Sequence, residues 1–200
     1  MLLRISFCEV QPIDNRLPSL ADGASWPLLL ADYQFKGLYG NGEIALLERR
    51  TSPATTEITP LSSGFYKPNT MIEIPKDVPF AWANIVIEPT FLGRLSGVFF
   101  KPPQFNIRYV FQDGHVRQFR YIAGMGETGF LISPLIESTH DFMELAAPQS
   151  SAYFASHRPS YVSIVISRYD QLFWSSRFFL KMSEIQFPVQ SDAFIYSPKS

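Results

Sequence analysis

The stretch FNIRYVFQDGHVRQFRY, residues 105–121, contains two runs of alternating side chains on either side of Gln112, Asp113 and Gly114. Such runs joined by a short glycine-containing turn are typical of an antiparallel β-hairpin. A two-residue loop would mix apolar and charged side chains on both faces. A three-residue loop, with Gly114 in the left-handed conformation, separates them better. Its pairs are Phe111 with His115, Tyr109 with Arg117, Ile107 with Phe119 and Phe105 with Tyr121.

This register gives the hairpin a mostly aromatic face and a polar face. The polar face contains Asn106, Arg108, Val110, Val116, Gln118 and Arg120. Antiparallel sheets commonly bury one face and leave the other in water. We therefore predict that the aromatic face lies in a core and that the polar face is wet or lines a groove.

Composition favours a single all-β domain over residues 1–200. The chain contains 18 Phe, 9 Tyr and 16 Pro, and only 18% of its residues are charged. This composition is typical of short strands joined by proline-containing loops. Nine or ten strands at spacings of roughly 8 to 15 residues, with one short α-helix, predict a β-sandwich of jelly-roll type.

Most of the predicted strands outside the hairpin follow from alternation or from short apolar runs between turn residues. They cover residues 1–10, 43–50, 71–74, 81–88, 91–101, 130–136, 161–167 and 177–187. Residues 27–38 fit more than one structure. Residues 51–63, rich in Pro, Ser and Thr, are predicted to form a mobile loop.

The predicted helix covers residues 138–147. Ser138 is suited to the N-cap, and Asp141 lies at the end of the helix dipole that favours negative charge. Pro148 ends the helix. Its predicted buried stripe consists of Phe142, Leu145 and Ala146.

Charge and hydropathy argue against several function classes. A formal net charge of −1 does not support a general attraction to nucleic acid or anionic lipid. The longest apolar stretch, residues 26–31, is shorter than the roughly 18 residues of a membrane span, so we expect a soluble chain. The single cysteine, Cys8, rules out an internal disulfide and a multi-cysteine metal site.

No cofactor, metal or catalytic motif is predicted. Residues 124–129 match the dinucleotide-binding spacing G-x-G-x-x-G, but Pro134 prevents the helix that should begin there. His115, His140 and His157 have no short metal-ligand spacing. We therefore interpret residues 124–129 as a loop between strands.

Arg108 and Arg120 are predicted to lie diagonally on the polar face of the hairpin, beside Gln118. Arginine forks suit phosphate, carboxylate or sugar hydroxyl groups, so these residues are candidate ligand-binding residues. Trp82 is a further candidate, since a sugar can stack on an exposed ring. Trp174, Tyr39 and Tyr66 are also candidates for such a ring. The alternatives are a solvated strand face and aromatic rings that fill the core.

Two other functions remain open at this point. One is a glycan-acting hydrolase that uses a pair of carboxylates. The carboxylates considered for it are Glu43, Glu73, Glu88, Asp113 and Glu127. The other is a structural protein–protein interaction domain, which would present an apolar surface patch or an unpaired strand edge.

Residues 119–145, FRYIAGMGETGFLISPLIESTHDFMEL, carry three features in succession. These are an R-x-x-x-G strand end, the run GF-L-SP and a short capped helix containing Asp-Phe. In this combination the stretch resembles soluble, sandwich-type regions of bacterial multipass membrane proteins of the cell envelope. The resemblance implies a periplasmic or other extracytoplasmic domain of a larger, membrane-tethered protein, one that handles lipid-linked sugars.

These observations together predict a non-catalytic recognition or accessory domain associated with a bacterial envelope protein. The expected ligand is a carbohydrate or a sugar phosphate. The predicted ligand-binding residues are Arg108, Arg120, Gln118 and Trp82.

Overall fold

The computed structural model describes residues 5–99, 105–148 and 150–190. These ranges contain eleven β-strands and six short α-helices. The strands are β1 (Ile5–Glu9), β2 (Tyr33–Tyr39), β3 (Ile44–Arg49), β4 (Glu57–Tyr66), β5 (Ile72–Glu73), β6 (Ala81–Val86), β7 (Phe105–Val110), β8 (Val116–Tyr121), β9 (Phe130–Ser133), β10 (Tyr161–Val165) and β11 (Phe178–Gln186). The helices are α1 (Pro18–Asp22), α2 (Trp26–Asp32), α3 (Phe91–Phe99), α4 (Ala123–Gly126), α5 (Thr139–Glu144) and α6 (Ser150–Tyr153).

The strands form three antiparallel sheets. The hairpin sheet has the strand order β5-β10-β7-β8, and the central sheet has the order β4-β11-β6-β9. The N-terminal sheet has the order β1-β3-β2. The predicted all-β, sandwich-type fold is confirmed.

Strands β4 to β11 pair in a nested pattern. β7 pairs with β8, β6 with β9, β5 with β10, and β4 with β11. Such nesting arises when one long antiparallel hairpin rolls up into two sheets, and the β7–β8 turn is then its tip. The jelly-roll order of the sandwich stays a prediction.

The register of the β7–β8 hairpin agrees with the three-residue loop. Phe105 pairs with Tyr121, and Ile107 pairs with Phe119. At the turn, the backbone N–H of Phe111 donates to the carbonyl of His115 at 3.0 Å. Gly114 has a φ of 85°, a left-handed value that glycine adopts without strain. The turn chemistry therefore fixes which side chains enter the core.

Two hydrophobic cores lie on opposite faces of the central sheet. The first core lies between the central sheet and the hairpin sheet, and it includes Ala83 and Ile85 of β6. The second core joins the central sheet to the N-terminal sheet, α2 and α5, and it includes Trp82 of the same strand. Successive residues of β6 therefore enter different cores, as expected for a strand covered on both faces.

The predicted cap of α5 is confirmed. The Ser138 hydroxyl accepts a hydrogen bond from the Asp141 backbone N–H at 3.1 Å. The Asp141 carboxylate accepts in turn from the Ser138 backbone N–H at 3.0 Å. Phe142 and Leu145 are buried in the second core. This reciprocal capping box stabilises a helix of only six residues.

Two predicted elements differ in the structure. Residues 91–99 form α3 where a strand is predicted, and residues 100 and 101 of that strand lie outside the described ranges. A short apolar run carries little periodic information, so strand and helix are hard to tell apart. Residues 57–63, predicted as mobile loop, belong to β4. Their pairing with β11 is a long-range contact that their polar composition does not reveal.

Other segments agree with the sequence more closely. The first strand is present over Ile5–Glu9, while residues 1–4 lie outside the described ranges. The ambiguous residues 27–38 divide between α2 and β2. The glycine-rich segment 124–129 holds the end of the four-residue α4 and a turn into β9. None of the helices in the described ranges has the length and apolar character needed to cross a membrane.

Candidate ligand-binding site

The outer face of the hairpin sheet brings the predicted polar residues together. In one row, Arg108 of β7 pairs with Gln118 of β8. In the next row, Asn106 pairs with Arg120. Paired residues of neighbouring strands point to the same face, so Arg108 and Arg120 lie diagonally, as predicted. Their role as ligand-binding residues stays a prediction.

Strand β10 extends this face on the other side of β7. Ser163 pairs with Arg108, and Tyr161 pairs with Val110. The intervening Val162 lies in the first core, so Tyr161 and Ser163 point to the opposite face of the sheet, where Ser163 is buried. The half-buried Tyr161 therefore places an aromatic ring on the same face as the arginines.

The N-terminal segment covers the free edge of β8. The backbone N–H of Arg120 donates to the carbonyl of Asn15 at 2.7 Å. Arg16 forms a parallel β-bridge with Arg120 and so joins the same face. Arg16 and Tyr161 thus extend the polar face of the hairpin. The extended polar face consists of Arg16, Asn106, Arg108, Gln118, Arg120 and Tyr161.

The arginines of the polar face have few acidic partners. Arg16 lies 3.6 Å from the carboxylate of Asp14. Arg108 donates a long hydrogen bond of 3.4 Å to the side-chain oxygen of Gln118. Within the described ranges, neither Arg108 nor Arg120 forms a salt bridge. The polar face is therefore rich in donors and positive charge.

Arg120 also carries a buried donor without a hydrogen-bond partner among the described residues. This donor is its Nε, which is shielded from solvent. An unsatisfied buried polar group costs free energy, and a charged one costs more than a neutral one.

Trp82 corrects the prediction of an exposed ring. Its side chain is only 4% exposed and lies in the second core. The reason is the third layer formed by the N-terminal sheet and helices, which covers the central sheet on the side that a two-layer sandwich would leave open. Trp82 is therefore excluded from a surface site in this structure.

The other aromatic candidates do not join the polar face either. Trp174 is 7% exposed and packs edge-on against Phe105 in the first core. Tyr39 is exposed, but it lies on the N-terminal sheet. Tyr66 packs partly buried against the first core. Arg16 and Tyr161 are the members of the polar face that the sequence did not reveal.

The five carboxylates considered for hydrolysis are distributed over the molecule. Glu43 precedes β3, Glu73 lies on β5, Glu88 follows β6, Asp113 lies in the hairpin turn and Glu127 follows α4. A glycosidase acid requires a raised pKa. Hydrogen bonds from the backbone and ring of His115 instead lower the pKa of Asp113. This arrangement gives the hydrolase alternative no support.

The remaining histidines belong to a hydrogen-bonded network around α5. The Tyr153 hydroxyl donates to the Asp141 carboxylate at 2.8 Å, and His140 Nδ1 lies 3.0 Å from the same hydroxyl. The His157 ring stacks on Tyr153 with centroids 5.3 Å apart. Asp141 also caps α5, so the network holds the helix in place. No group of three metal-ligating side chains was found among the described residues.

Tyr161 and Arg16 could not be placed from their local sequence. Each reaches the polar face only through pairing with a strand distant in the chain. A weak signal exists for Tyr161, because it shares the alternation of Ser163 and opposes the buried Val162. Comparison with known proteins adds no assignment: no family model and no curated protein matches this chain.

Proposed function

We propose that this chain is a non-catalytic recognition or accessory domain that binds an acidic, polyhydroxylated ligand on its polar face. The ligand class is an acidic carbohydrate or a sugar phosphate. Arginine forks bind its carboxylate or phosphate groups, and the amides of Asn106 and Gln118 bind its hydroxyl groups. Tyr161 takes the place of Trp82 as the ring beside the charged groups.

The observation that carries this proposal is the grouping of Arg16, Arg108 and Arg120 on adjacent positions of one face. Like charges on neighbouring strands repel each other, which makes such a grouping unfavourable without a counter-charge. Asp14 supplies one carboxylate near Arg16. An anionic ligand would supply the counter-charge for Arg108 and Arg120.

We place the domain in the periplasm or another extracytoplasmic space, as part of or beside a bacterial envelope protein. The support for this setting is the resemblance of residues 119–145 to sandwich-type regions of such proteins. The turn into β9 and the capped α5, which carry that resemblance, follow each other in the chain.

Isothermal titration with an oligosaccharide of uronic acids, its neutral counterpart and a hexose phosphate tests the proposal. We expect binding of an acidic ligand that weakens as salt is added, since exposed charges are screened. The variant Arg108→Gln should weaken binding about tenfold or more, because a hydrogen bond to a charged group contributes about 1.5–3 kcal/mol.

Arg177→Gln is the matched control. Arg177 is also an exposed arginine, but it precedes β11 in the central sheet. Its substitution should leave the affinity unchanged. Equal weakening by both variants would show a general charge effect, and heat only from the neutral sugar would reject the anionic ligand.

A second candidate function is protein–protein interaction through the edge of β4. This strand is ten residues long and forms the end of the central sheet. Ile58 and Phe65 are 48% and 70% exposed, and residues 61–66 contain no charge and no proline. Edge strands without charge or proline can pair with another strand. A second copy of this chain presents the same uncharged stretch at residues 61–66, while Glu57 and Pro60 lie at the other end of β4.

Light scattering after size-exclusion chromatography tests this candidate. If β4 pairs between copies, the mass should rise with concentration, and Phe65→Lys should return it to that of a monomer. Leu28→Lys is the control, since Leu28 is 70% exposed in α2. A monomer at every concentration would reject pairing between copies.

A further inference from the structure

A cleft of about 370 Å³ opens at the tip of the β7–β8 hairpin. It lies between the hairpin turn, the segment after β5 and the segment before β10. Its volume falls within the range of small-molecule sites, at the lower end. The cleft belongs to a different part of the hairpin sheet from the polar face, because none of the residues of the polar face lines it.

One wall of the cleft is a stacked pair of rings. The His115 ring lies on the Phe111 ring with centroids 3.8 Å apart and an angle of 16° between the planes. His115 is fixed a second time by Asp113, whose carboxylate lies 2.6 Å from Nδ1. The same oxygen accepts from the His115 backbone N–H at 3.0 Å. The wall is therefore held in place before any ligand arrives.

Two cations, Lys76 and Arg158, also line the cleft. The guanidinium of Arg158 is positioned by a hydrogen bond of 2.9 Å from Nη1 to the Val78 carbonyl. A guanidinium has five N–H donors, so this bond leaves others for a ligand. Lys76 lies at the rim, ion-paired with the exposed Glu73 at 3.3 Å. Arg158 is half-buried, and this burial lowers the pKa of its guanidinium.

The charges of the lining favour an anion. Lys76 and Arg158 are positive, whereas Asp113 is the one carboxylate among the described residues that line the cleft. One oxygen of the Asp113 carboxylate already interacts with the backbone N–H and the ring Nδ1 of His115. Serine hydroxyls complete the lining at Ser133, Ser156 and Ser160. A ligand with one anionic group and several hydroxyl groups would match these donors and acceptors.

We propose that this cleft is a second binding site, which takes a small hydroxylated anion with its phosphate or carboxylate group between Lys76 and Arg158. The stacked rings of Phe111 and His115 contact the body of the ligand. The site is independent of the polar face, since it uses other residues and its ligand need not be a carbohydrate chain.

Amide NMR of the full chain tests the proposal with two probes, inorganic phosphate and gluconate, at constant ionic strength. Titration to about 50 mM detects dissociation constants in the millimolar range. We expect saturable shifts at Gly114, His115 and Ser160. Lys76→Gln should weaken binding about fivefold, which is the scale of an exposed ion pair.

Lys36→Gln is a matched control, because Lys36 is likewise exposed and lies 3.0 Å from a glutamate, Glu48. It should leave the affinity unchanged. Arg158→Lys, which keeps the charge and removes the planar guanidinium, should also weaken binding. If Arg158→Lys does not fold, the comparison of Lys76→Gln with Lys36→Gln is sufficient to test the site.

Saturation by phosphate alone, by gluconate alone or by both would support the site and identify the anionic group that it accepts. No saturable shift with either probe would overturn the proposal. Equal weakening by Lys36→Gln and Lys76→Gln would overturn it as well.

Discussion

The two cores differ in how the chain supplies them. The first core is bounded by sheets whose strands pair in nested order from β4 to β11. The second core is assembled from separate segments, with Trp26 of α2, Phe35 of β2 and Phe142 of α5 packed against the central sheet. Polar contacts fix these segments, such as the Val10 backbone N–H donating to Thr139 Oγ1 at 2.8 Å.

This difference decides what can be inferred from sequence. The innermost pair of the nested strands, β7–β8, is predicted by alternation and turn residues, which are local signals. The second core depends on segments from distant parts of the chain, and no local signal reports how these segments pack together. Trp82 shows the consequence, because the same strand contributes Ala83 to the first core and Trp82 to the second.

The largest expected effect comes from Trp82→Ala. Removing this buried ring should lower the free energy of unfolding by about 3–5 kcal/mol. Urea denaturation followed by circular dichroism should show one transition, because both cores share the central sheet. Leu28→Ala is the control at an exposed site. Two separate transitions would mean that the cores are independent, and a loss below about 1 kcal/mol would contradict the burial of Trp82.

Substitution of Gly129 tests how closely the chain approaches the Trp82 ring. Gly129 has a φ of 96°, and a Cβ there would lie 2.2 Å from Trp82 Nε1. Gly114 has a φ of 85° with open space around it. Gly114→Ala should therefore lower the free energy of unfolding by about 1 kcal/mol, because it adds backbone strain alone. Gly129→Ala should lower it by about 3 kcal/mol, because the new methyl group also collides with the Trp82 ring. Equal losses in thermal or urea unfolding would contradict this close packing.

Gln190→Ala tests a polar contact that joins the C-terminal segment to the second core. The Gln190 side chain accepts from the Phe35 backbone N–H at 2.9 Å and donates to the Phe35 carbonyl at 2.7 Å. Loss of two buried hydrogen bonds should lower the free energy of unfolding by about 2 kcal/mol. Gln186→Ala removes an exposed hydrogen bond and should change stability by less than about 0.5 kcal/mol. Similar losses would mean that the Gln190 contact does not stabilise the core.

The smallest effect concerns Cys8, which packs partly buried against the second core. Burial, with a contribution from Asp22, raises its pKa to about 11 from an ordinary value of 9.0. The folded state therefore holds the thiol proton more tightly, and this contribution to stability is present below pH 9 and is lost as the pH rises towards 11. The stability difference between wild type and Cys8→Ala should shrink over that range. A stability difference that stays constant from pH 9 to pH 11 would contradict the raised pKa of Cys8.

A thiol reagent provides a direct check on the same group. At pH 8 the native chain should react about a hundredfold more slowly than the urea-unfolded chain, because the raised pKa reduces the thiolate fraction. Equal reaction rates for the native and unfolded chains would mean that Cys8 is exposed to solvent. The second core would then not extend to the Cys8 side chain of β1.

The hairpin and α5 could be predicted because a few residues determine each of them. Gly114, in its left-handed conformation, favours a three-residue loop between β7 and β8. The length of that loop sets the register, and the register decides which side chains of residues 105–121 face the core. Ser138 and Asp141 cap α5 through contacts within one turn. These interactions are complete within a short window of sequence.

Residues 91–99 are apolar enough for a strand or a helix. The local signal that the prediction missed is Thr90, whose Oγ1 accepts from the Gly93 backbone N–H at 3.2 Å and caps the first turn.

The polar face depended on contacts outside any such window. Arg108, Arg120 and Gln118 were placed correctly because one hairpin contains all three. Tyr161 and Arg16 join them through β10 and the N-terminal segment, so two of the six residues of the polar face were not predicted.

The nested pairing also has a consequence for the order of events during synthesis on the ribosome. The β7–β8 pair is local and needs only a short loop to close, whereas Glu57 of β4 must wait for Gln186 of β11. Each pair that forms brings the next two strands together and reduces the entropy lost in closing their loop. We therefore expect folding to proceed from the hairpin tip outwards, with β4 the last strand to be covered. Until β11 emerges, both edges of β4 are unpaired, whereas in the folded chain β11 covers one of them.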